Sequence, residues 1–171
     1  MNTKHKYPMS MIILHALLAI LMIATLVVGW MMDDNRGLMP LHKSLGALVF
    51  IFGIVRIINR MRNMGKIPPS VNQGAMRLVE KSVHGLLMVV MLAMPFVGWL
   101  ISNAKGFPVS VFGLFNLPTL IDKNEPLAHT LGEMHETGAA VFVILLVLHV
   151  VGAIVHKIKA KDDVLSRMSP F

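Results

Sequence analysis

Long apolar blocks dominate this sequence and restrict what it can fold into. Three of them, at about residues 9–32, 83–101 and 137–158, are long enough as helices to cross roughly 30 Å of hydrocarbon. A fourth, at about residues 41–58, contains Arg56 near its end, and we expect this long side chain to reach back to the membrane surface. Only 15% of the residues are charged, against roughly 25% in a soluble domain.

The sequence therefore predicts an all-α integral membrane four-helix bundle, with residues 1–171 forming a single transmembrane domain. Residues 102–136, between the third and fourth blocks, are expected to be irregular. Pro108, Pro118 and Pro126 lie in this stretch, and proline interrupts the hydrogen bonding of a continuous helix.

Basic residues are distributed unequally between the two sides that this topology defines. Twelve Lys and Arg residues lie on the side that carries both termini, and four lie on the other side. Because basic loops stay in the cytoplasm, we expect a multi-pass protein of the bacterial inner membrane with cytoplasmic N- and C-termini, in contact with the lipid bilayer. The same asymmetry accounts for the net charge of +7, so the charge does not indicate a nucleic-acid partner.

The chain has no cysteine, which limits the cofactors that it can bind. A disulfide framework, a thiolate metal site, an iron–sulfur cluster and a covalently attached c-type haem all need a cysteine sulfur. Eight histidines remain as the main metal ligands. An ionisable side chain inside a membrane is costly, so the histidines within the apolar blocks indicate a functional site.

Two histidines of the fourth block, His135 and His149, have the spacing of ligands to two stacked haems. The interval between them is about four helical turns, which brings them to within about 40° of the same face and separates them by about 21 Å along the helix axis. A low-spin b-type haem takes an imidazole on each side of its iron, so other helices must supply a partner at each of these two depths.

The predicted orientation identifies these partners. His15 lies about 10 Å from the cytoplasmic start of the first helix, and His149 lies about 12 Å from the cytoplasmic end of the fourth. His42 and His135 each open a helix on the outer side. We therefore expect two non-covalent b haems. His15 and His149 would bind the iron of the inner haem, and His42 and His135 would bind that of the outer haem.

The sequence resembles the bacterial cytochrome b561 family, which is related to the cytochrome b subunits of nickel hydrogenases. The resemblance rests on LHKSLG at 41–46, VHGLLMVVMLAMPFVGWLIS at 83–102, KGFPVSVFG at 105–113, MHETGA at 134–139, LHVVGAIVHK at 148–157 and KDDVLSRM at 161–168. It implies a dihaem membrane protein that exchanges electrons with quinone. The ligand positions of the family pattern fall on His15, His42, His135 and His149.

A quinone that takes up electrons also takes up protons, so its site needs donors. His84 is expected to open the third helix and His156 to end the fourth, both on the cytoplasmic side, and neither is needed as an iron ligand. An imidazole can hydrogen-bond a quinone oxygen and supply a proton. These two histidines, with Arg77, Lys81 and Lys157, form the candidate ubiquinone site.

Some members of the family that resemble this chain oxidise superoxide at the outer face. Arg36, Lys43 and Lys105 form a candidate patch that would attract this anion to the outer haem. The outer loops as a whole carry four basic against six acidic residues, a balance that opposes the attraction. A periplasmic redox protein is the other electron donor that fits this face.

The function that we predict is that of a haem-dependent oxidoreductase transferring electrons across the membrane between the outer face and the ubiquinone pool. Two alternatives also fit the sequence. The protein could be a haem-bearing membrane anchor that relays electrons for a larger redox partner, or a proton or metal transporter that uses the histidines as a relay.

Overall fold

The computed structural model describes residues 6–32, 34–68 and 74–159, apart from the side chains of residues 156, 157 and 159. Within this part of the chain four long helices each contain a stretch that is long and apolar enough to span a membrane. The helices are α1 (Met9–Met31), α2 (Met39–Arg62), α3 (Gly74–Ala104) and α4 (Glu125–Lys159). A short hairpin between α3 and α4 consists of β1 (Ser110–Val111) and β2 (Phe115–Asn116), which pair antiparallel.

Both α3 and α4 are longer than the sequence predicted. The expected starts near residues 83 and 137 are wrong, because α3 begins at Gly74 and α4 at Glu125. Pro126 does not prevent α4, since it lies in the first helical turn, where an N–H group has no partner within the helix. The Asn124 side chain caps this end by accepting a hydrogen bond of 3.0 Å from the Leu127 N–H. The irregular segment is therefore confined to residues 105–124.

The four helices alternate in direction, so the bundle has two distinct ends. We call the end that carries β1 and β2 the hairpin end, and the end where α1 begins and α4 finishes the termini end. Backbone packing is closest between α1 and α2, α2 and α3, and α3 and α4. Since α1 and α3 run toward the hairpin end while α2 and α4 run away from it, residues at one level come from opposite ends of neighbouring helices.

The hairpin is fixed to the bundle by buried hydrogen bonds. Ser44 of α2 is buried, and its hydroxyl oxygen accepts a bond of 2.9 Å from the Phe112 N–H. Asn103 near the end of α3 is also buried and accepts a bond of 2.9 Å from the Leu120 N–H. The hairpin turn places Gly113 at φ +73°, a backbone conformation that glycine adopts without strain. These contacts hold the hairpin segment over the ends of α2 and α3.

One apolar cluster forms the centre of the bundle, with a residue from each helix. It consists of Leu18, Val49, Met91 and Phe142, all buried, with Met22 and other apolar side chains packed against it. Only 11–22% of the residues in the apolar membrane-spanning stretches are buried within the protein. Their outward surfaces are therefore suited to contact with lipid.

Phe142 tests the importance of this cluster. Phe142→Ala should lower the free energy of unfolding by about 3–5 kcal/mol, because it removes a buried ring and leaves a cavity. Ile144→Ala is the matched control, since Ile144 lies on the same helix and is 61% exposed. Denaturation of the detergent-solubilised protein, followed by circular dichroism, measures both. Equal losses in the two variants would contradict a core centred on Phe142.

Candidate functional site

The four histidines that the sequence paired by depth meet as two pairs in the structure. The ring centres of His15 and His149 are 6.1 Å apart, with the ring planes at 83°. Those of His42 and His135 are 6.2 Å apart, with the planes at 80°. The two pairs lie at levels separated by about 21 Å, because His135 and His149 are about four turns apart on α4.

Two histidines lie deeper within their helices than expected. His135 is the eleventh residue of α4 and His84 the eleventh of α3, so neither opens its helix. The reason is that both helices extend beyond their apolar stretches. As a consequence His84 reaches the level of the first pair, where its ring centre lies 4.8 Å from that of His149. The site near the termini end therefore contains three histidines.

His135 and His149 are 14 residues apart, and each of the other three helices also has two residues with this spacing at the same two levels. Because it is close to four helical turns, each helix presents the same face at both levels and again halfway between them. The residues at these positions form three layers. The termini layer contains His15, Arg56, His84 and His149; the middle layer contains Met22, Val49, Met91 and Phe142; and the hairpin layer contains Gly29, His42, Gly98 and His135. Two polar layers thus flank an apolar one.

In the hairpin layer the ring of His42 has a defined orientation. Its Nδ1 lies 3.1 Å from the Thr25 carbonyl oxygen of α1. A carbonyl oxygen only accepts hydrogen bonds, so Nδ1 carries the proton and Nε2 is left with its lone pair. This is the tautomer that a metal-binding histidine adopts when a backbone carbonyl orients it.

Two glycines make room for the rings of the hairpin layer. A Cβ atom at Gly29 would lie 3.1 Å from Cε1 of His42, and one at Gly98 would lie 3.3 Å from Cε1 of His135. Both distances are shorter than ordinary van der Waals contacts. The Met94 backbone lies beside the His135 ring, but no hydrogen bond of ordinary geometry reaches its buried Nδ1 from the described residues.

Arg56 and Asn59 are polar residues of the termini end whose role the sequence analysis missed. The expectation that Arg56 reaches back to the membrane surface is wrong, because α2 continues to Arg62 and Nη1 of Arg56 is buried. Arg56 is close enough to His15 and His149 to interact electrostatically with both. It follows His42 by the same interval that separates His135 from His149, and this is the signal in the sequence that would have placed it at this level.

The three basic residues predicted for the outer patch line two different surface pockets. Arg36 and Lys43 line one surface pocket of about 380 Å³, which has no acidic residue in its described lining. The Lys43 ammonium donates a hydrogen bond of 2.7 Å to the Ser102 hydroxyl, and Lys43 is the residue next to His42. Lys105 instead lines a second pocket of about 530 Å³, which contains three glutamates, although it is close enough to Lys43 to repel it.

The residues predicted for a quinone site are only partly described. Arg77, Lys81 and His84 are exposed and recur at intervals of four and three residues, so they share one face of α3. Nδ1 of His84 donates a hydrogen bond of 2.8 Å to the Glu80 carbonyl oxygen. The side chains of the other two candidates, His156 and Lys157, lie outside the described residues.

The fold and these layers define a membrane-spanning helical bundle with histidine pairs in its interior. The chain belongs to the prokaryotic cytochrome b561 family, whose model matches residues 6–171. It is 32% identical to cytochrome b561 homolog 2 of Escherichia coli (strain K12), over 98% of this chain and 93% of that protein. It is 27% identical to a protein of Yersinia pestis named probable superoxide oxidase CybB, over 96% of each chain. The protein is therefore a multi-pass membrane protein of electron transfer that binds b-type haem.

The histidine pairs fit such a group. Two metal–nitrogen bonds of about 2 Å, with about 1 Å from each nitrogen to its ring centre, place two imidazole centres about 6 Å apart across one iron, and the observed separations are 6.1 and 6.2 Å. Within the described residues no group of three or more His, Asp or Glu side chains is arranged to hold a metal ion. A pair supplies two ligands, and a porphyrin supplies the others from its own nitrogens.

Proposed function

We propose that this protein binds two b haems, one held by His15 and His149 and the other by His42 and His135, and that it transfers electrons between them. The proposal rests on one observation above all, the two ring pairs of equal separation at two levels of the bundle. Each bound haem would accept and release one electron at a time. The helix α4 contributes one ligand to each pair, and α1 and α2 contribute the others.

The remaining residues of the layers support this role. The Thr25 carbonyl orients His42, and Gly29 lets that ring approach α1 closely. Val49, Met91 and Phe142 fill the middle layer with apolar atoms. They keep water out of the space between the two haems, so that the surroundings do not reorganise strongly when an electron passes.

The ligand assignment predicts which haem each histidine variant loses. His15→Ala and His149→Ala should retain mainly the haem of the hairpin layer, and His42→Ala and His135→Ala mainly that of the termini layer, because each removes one of the two histidines that would hold the iron. Haem content per chain, with reduced-minus-oxidised spectra, measures this. His129→Ala is the control, since His129 is exposed and pairs with Glu133. Two haems in all four ligand variants would show that other residues bind the iron.

The proposed orientation places the termini end in the cytoplasm and the hairpin end at the outer face of the inner membrane. It rests on the twelve basic residues of one side against four on the other. In this orientation the haem of the hairpin layer is the one that an electron donor from outside would meet first, and quinone would meet the haem of the termini layer.

Superoxide is the donor that we propose for the hairpin end. Each superoxide ion would give up one electron to the haem and leave as molecular oxygen. The pocket lined by Arg36 and Lys43 is basic and has no acidic residue in its described lining. Lys43 is also the residue next to His42 in the sequence. Three of the acidic residues that oppose an anion at this face surround the other pocket instead. The name of the Yersinia pestis relative supports the same donor.

Lys43→Met should slow reduction of the haems by superoxide several-fold, because it removes a positive charge from this pocket, and the effect should shrink as salt screens the charge. Stopped-flow absorbance measures the rate. Lys123→Met is the control, since Lys123 is exposed and paired with Glu125. If both variants react at the wild-type rate, superoxide does not enter through this pocket, and a periplasmic redox protein becomes the donor to test.

Ubiquinone is the electron acceptor that we propose for the termini end. Its reduction to quinol takes two electrons, which two superoxide ions supply in succession, and two protons from the cytoplasm. His84 lies beside His149, and Arg77 and Lys81 share its face of α3. These residues would provide hydrogen-bond donors and positive charge for the quinone oxygens, and the sequence adds His156 and Lys157 as candidates whose side chains lie outside the described residues.

His84→Ala should therefore slow the oxidation of pre-reduced haem by ubiquinone while both haems stay bound. The comparison is with Lys66→Ala, which removes an exposed basic residue from the segment between α2 and α3. Rapid mixing of the reduced protein with a soluble ubiquinone analogue gives the rate. Oxidation at the wild-type rate in both His84→Ala and His156→Ala would eliminate this site.

A further inference from the structure

Two buried nitrogen donors at the termini end have no acceptor in the described part of the protein. They are Nη1 of Arg56 and Nδ2 of Asn59, which lie three residues apart on α2 and so on one side of the helix. A buried donor without a partner is destabilising, and more so when it belongs to a charged group. Two such donors side by side indicate that a group outside the described residues accepts their hydrogen bonds.

The orientation of the Asn59 amide is set by its neighbours. Its Oδ1 accepts a hydrogen bond of 3.2 Å from the Ser10 hydroxyl of α1 and one of 3.1 Å from the Asn63 amide. Both contacts use the oxygen, so the amide nitrogen is the atom left as a donor. Asn59 therefore presents a fixed N–H group one turn from the Arg56 guanidinium.

A positive charge lies at this place. Arg56 lies close enough to His15 and His149 to interact electrostatically with both. The hairpin layer differs, because there the two helices that supply no histidine present Gly29 and Gly98. In the termini layer the two residues outside the proposed ligand pair are Arg56 of α2 and His84 of α3. A ligand of the termini layer thus meets a cation that a ligand of the hairpin layer does not.

We propose that Arg56 and Asn59 together bind a carboxylate group of the haem in the termini layer, and that Arg56 stabilises the reduced form of this haem. The inference rests on the two-haem function proposed above. Guanidinium and amide N–H groups are the donors that carboxylates prefer, and a haem b carries two carboxylates at its edge. A fixed positive charge favours the state with one more electron, so electrons would move from the hairpin layer to the termini layer.

Arg56→Met tests this inference and keeps the length of the apolar side chain. We expect it to lower the midpoint potential of the haem in the termini layer, or to reduce the occupancy of that haem, and to leave the haem of the hairpin layer unchanged. Spectroelectrochemical titration of the purified protein gives both potentials, and the remaining signal in His15→Ala identifies which haem is which. Arg60→Met is the matched control, since Arg60 is the exposed arginine of the next turn, and it should leave both potentials unchanged.

Two further variants separate carboxylate binding from packing. Asn59→Asp keeps the oxygen that Ser10 and Asn63 contact but replaces the free donor by an anionic oxygen, so it should also lower the potential or occupancy of the same haem. Arg56→Lys keeps the charge and should restore most of the potential. The hairpin-layer haem within each sample reports whether the bundle has folded.

An unchanged potential and occupancy of the termini-layer haem in both Arg56→Met and Asn59→Asp would overturn the inference. So would an equal shift in Arg60→Met, because it would show a general effect of surface charge. These results are distinct from a failure of the two-haem function itself, which would appear as fewer than two haems in the unmodified protein.

Discussion

The cost of placing a polar side chain in hydrocarbon determines how this bundle is organised. Each helix carries polar groups within an apolar stretch, and such groups are stable only if they face the interior and find a partner there. Two residues about four turns apart lie on the same face of a helix, so both can face the interior of the bundle. This spacing places His135 and His149 of α4, and His42 and Arg56 of α2, at the same two levels. The two polar layers and the apolar layer between them follow from this spacing.

The number of helices, their approximate positions and the proximity of the histidines could be predicted from the sequence, because long apolar stretches and helical spacing are local properties. The starts of α3 and α4 could not be predicted from hydropathy, since both begin in polar segments. Pro126 was also misleading, because the sequence alone does not distinguish a proline in the first turn of a helix from one that interrupts a helix. Arg56 was misread as a surface anchor because α2 was expected to end near residue 58, whereas it continues to Arg62.

The two polar layers differ in ways that suit opposite roles. The hairpin layer consists of two histidines and two glycines, and it lies near a basic pocket at the surface. The termini layer adds an arginine and a third histidine, whose helix face continues through Lys81 and Arg77. The proposed transfer of electrons from an anion at one end to quinone at the other needs this kind of asymmetry. The proposed direction of electron flow depends on it.

The most direct test of the account is the number of haems bound by the unmodified protein. Purified protein should show a reduced-minus-oxidised spectrum of low-spin b haem, and quantification of the extracted haem should give two per chain, since each histidine pair is proposed to hold one haem. One haem per chain would contradict the assignment of one pair. A spectrum without a Soret or α band would contradict both, and it would favour a role for the histidines in transport.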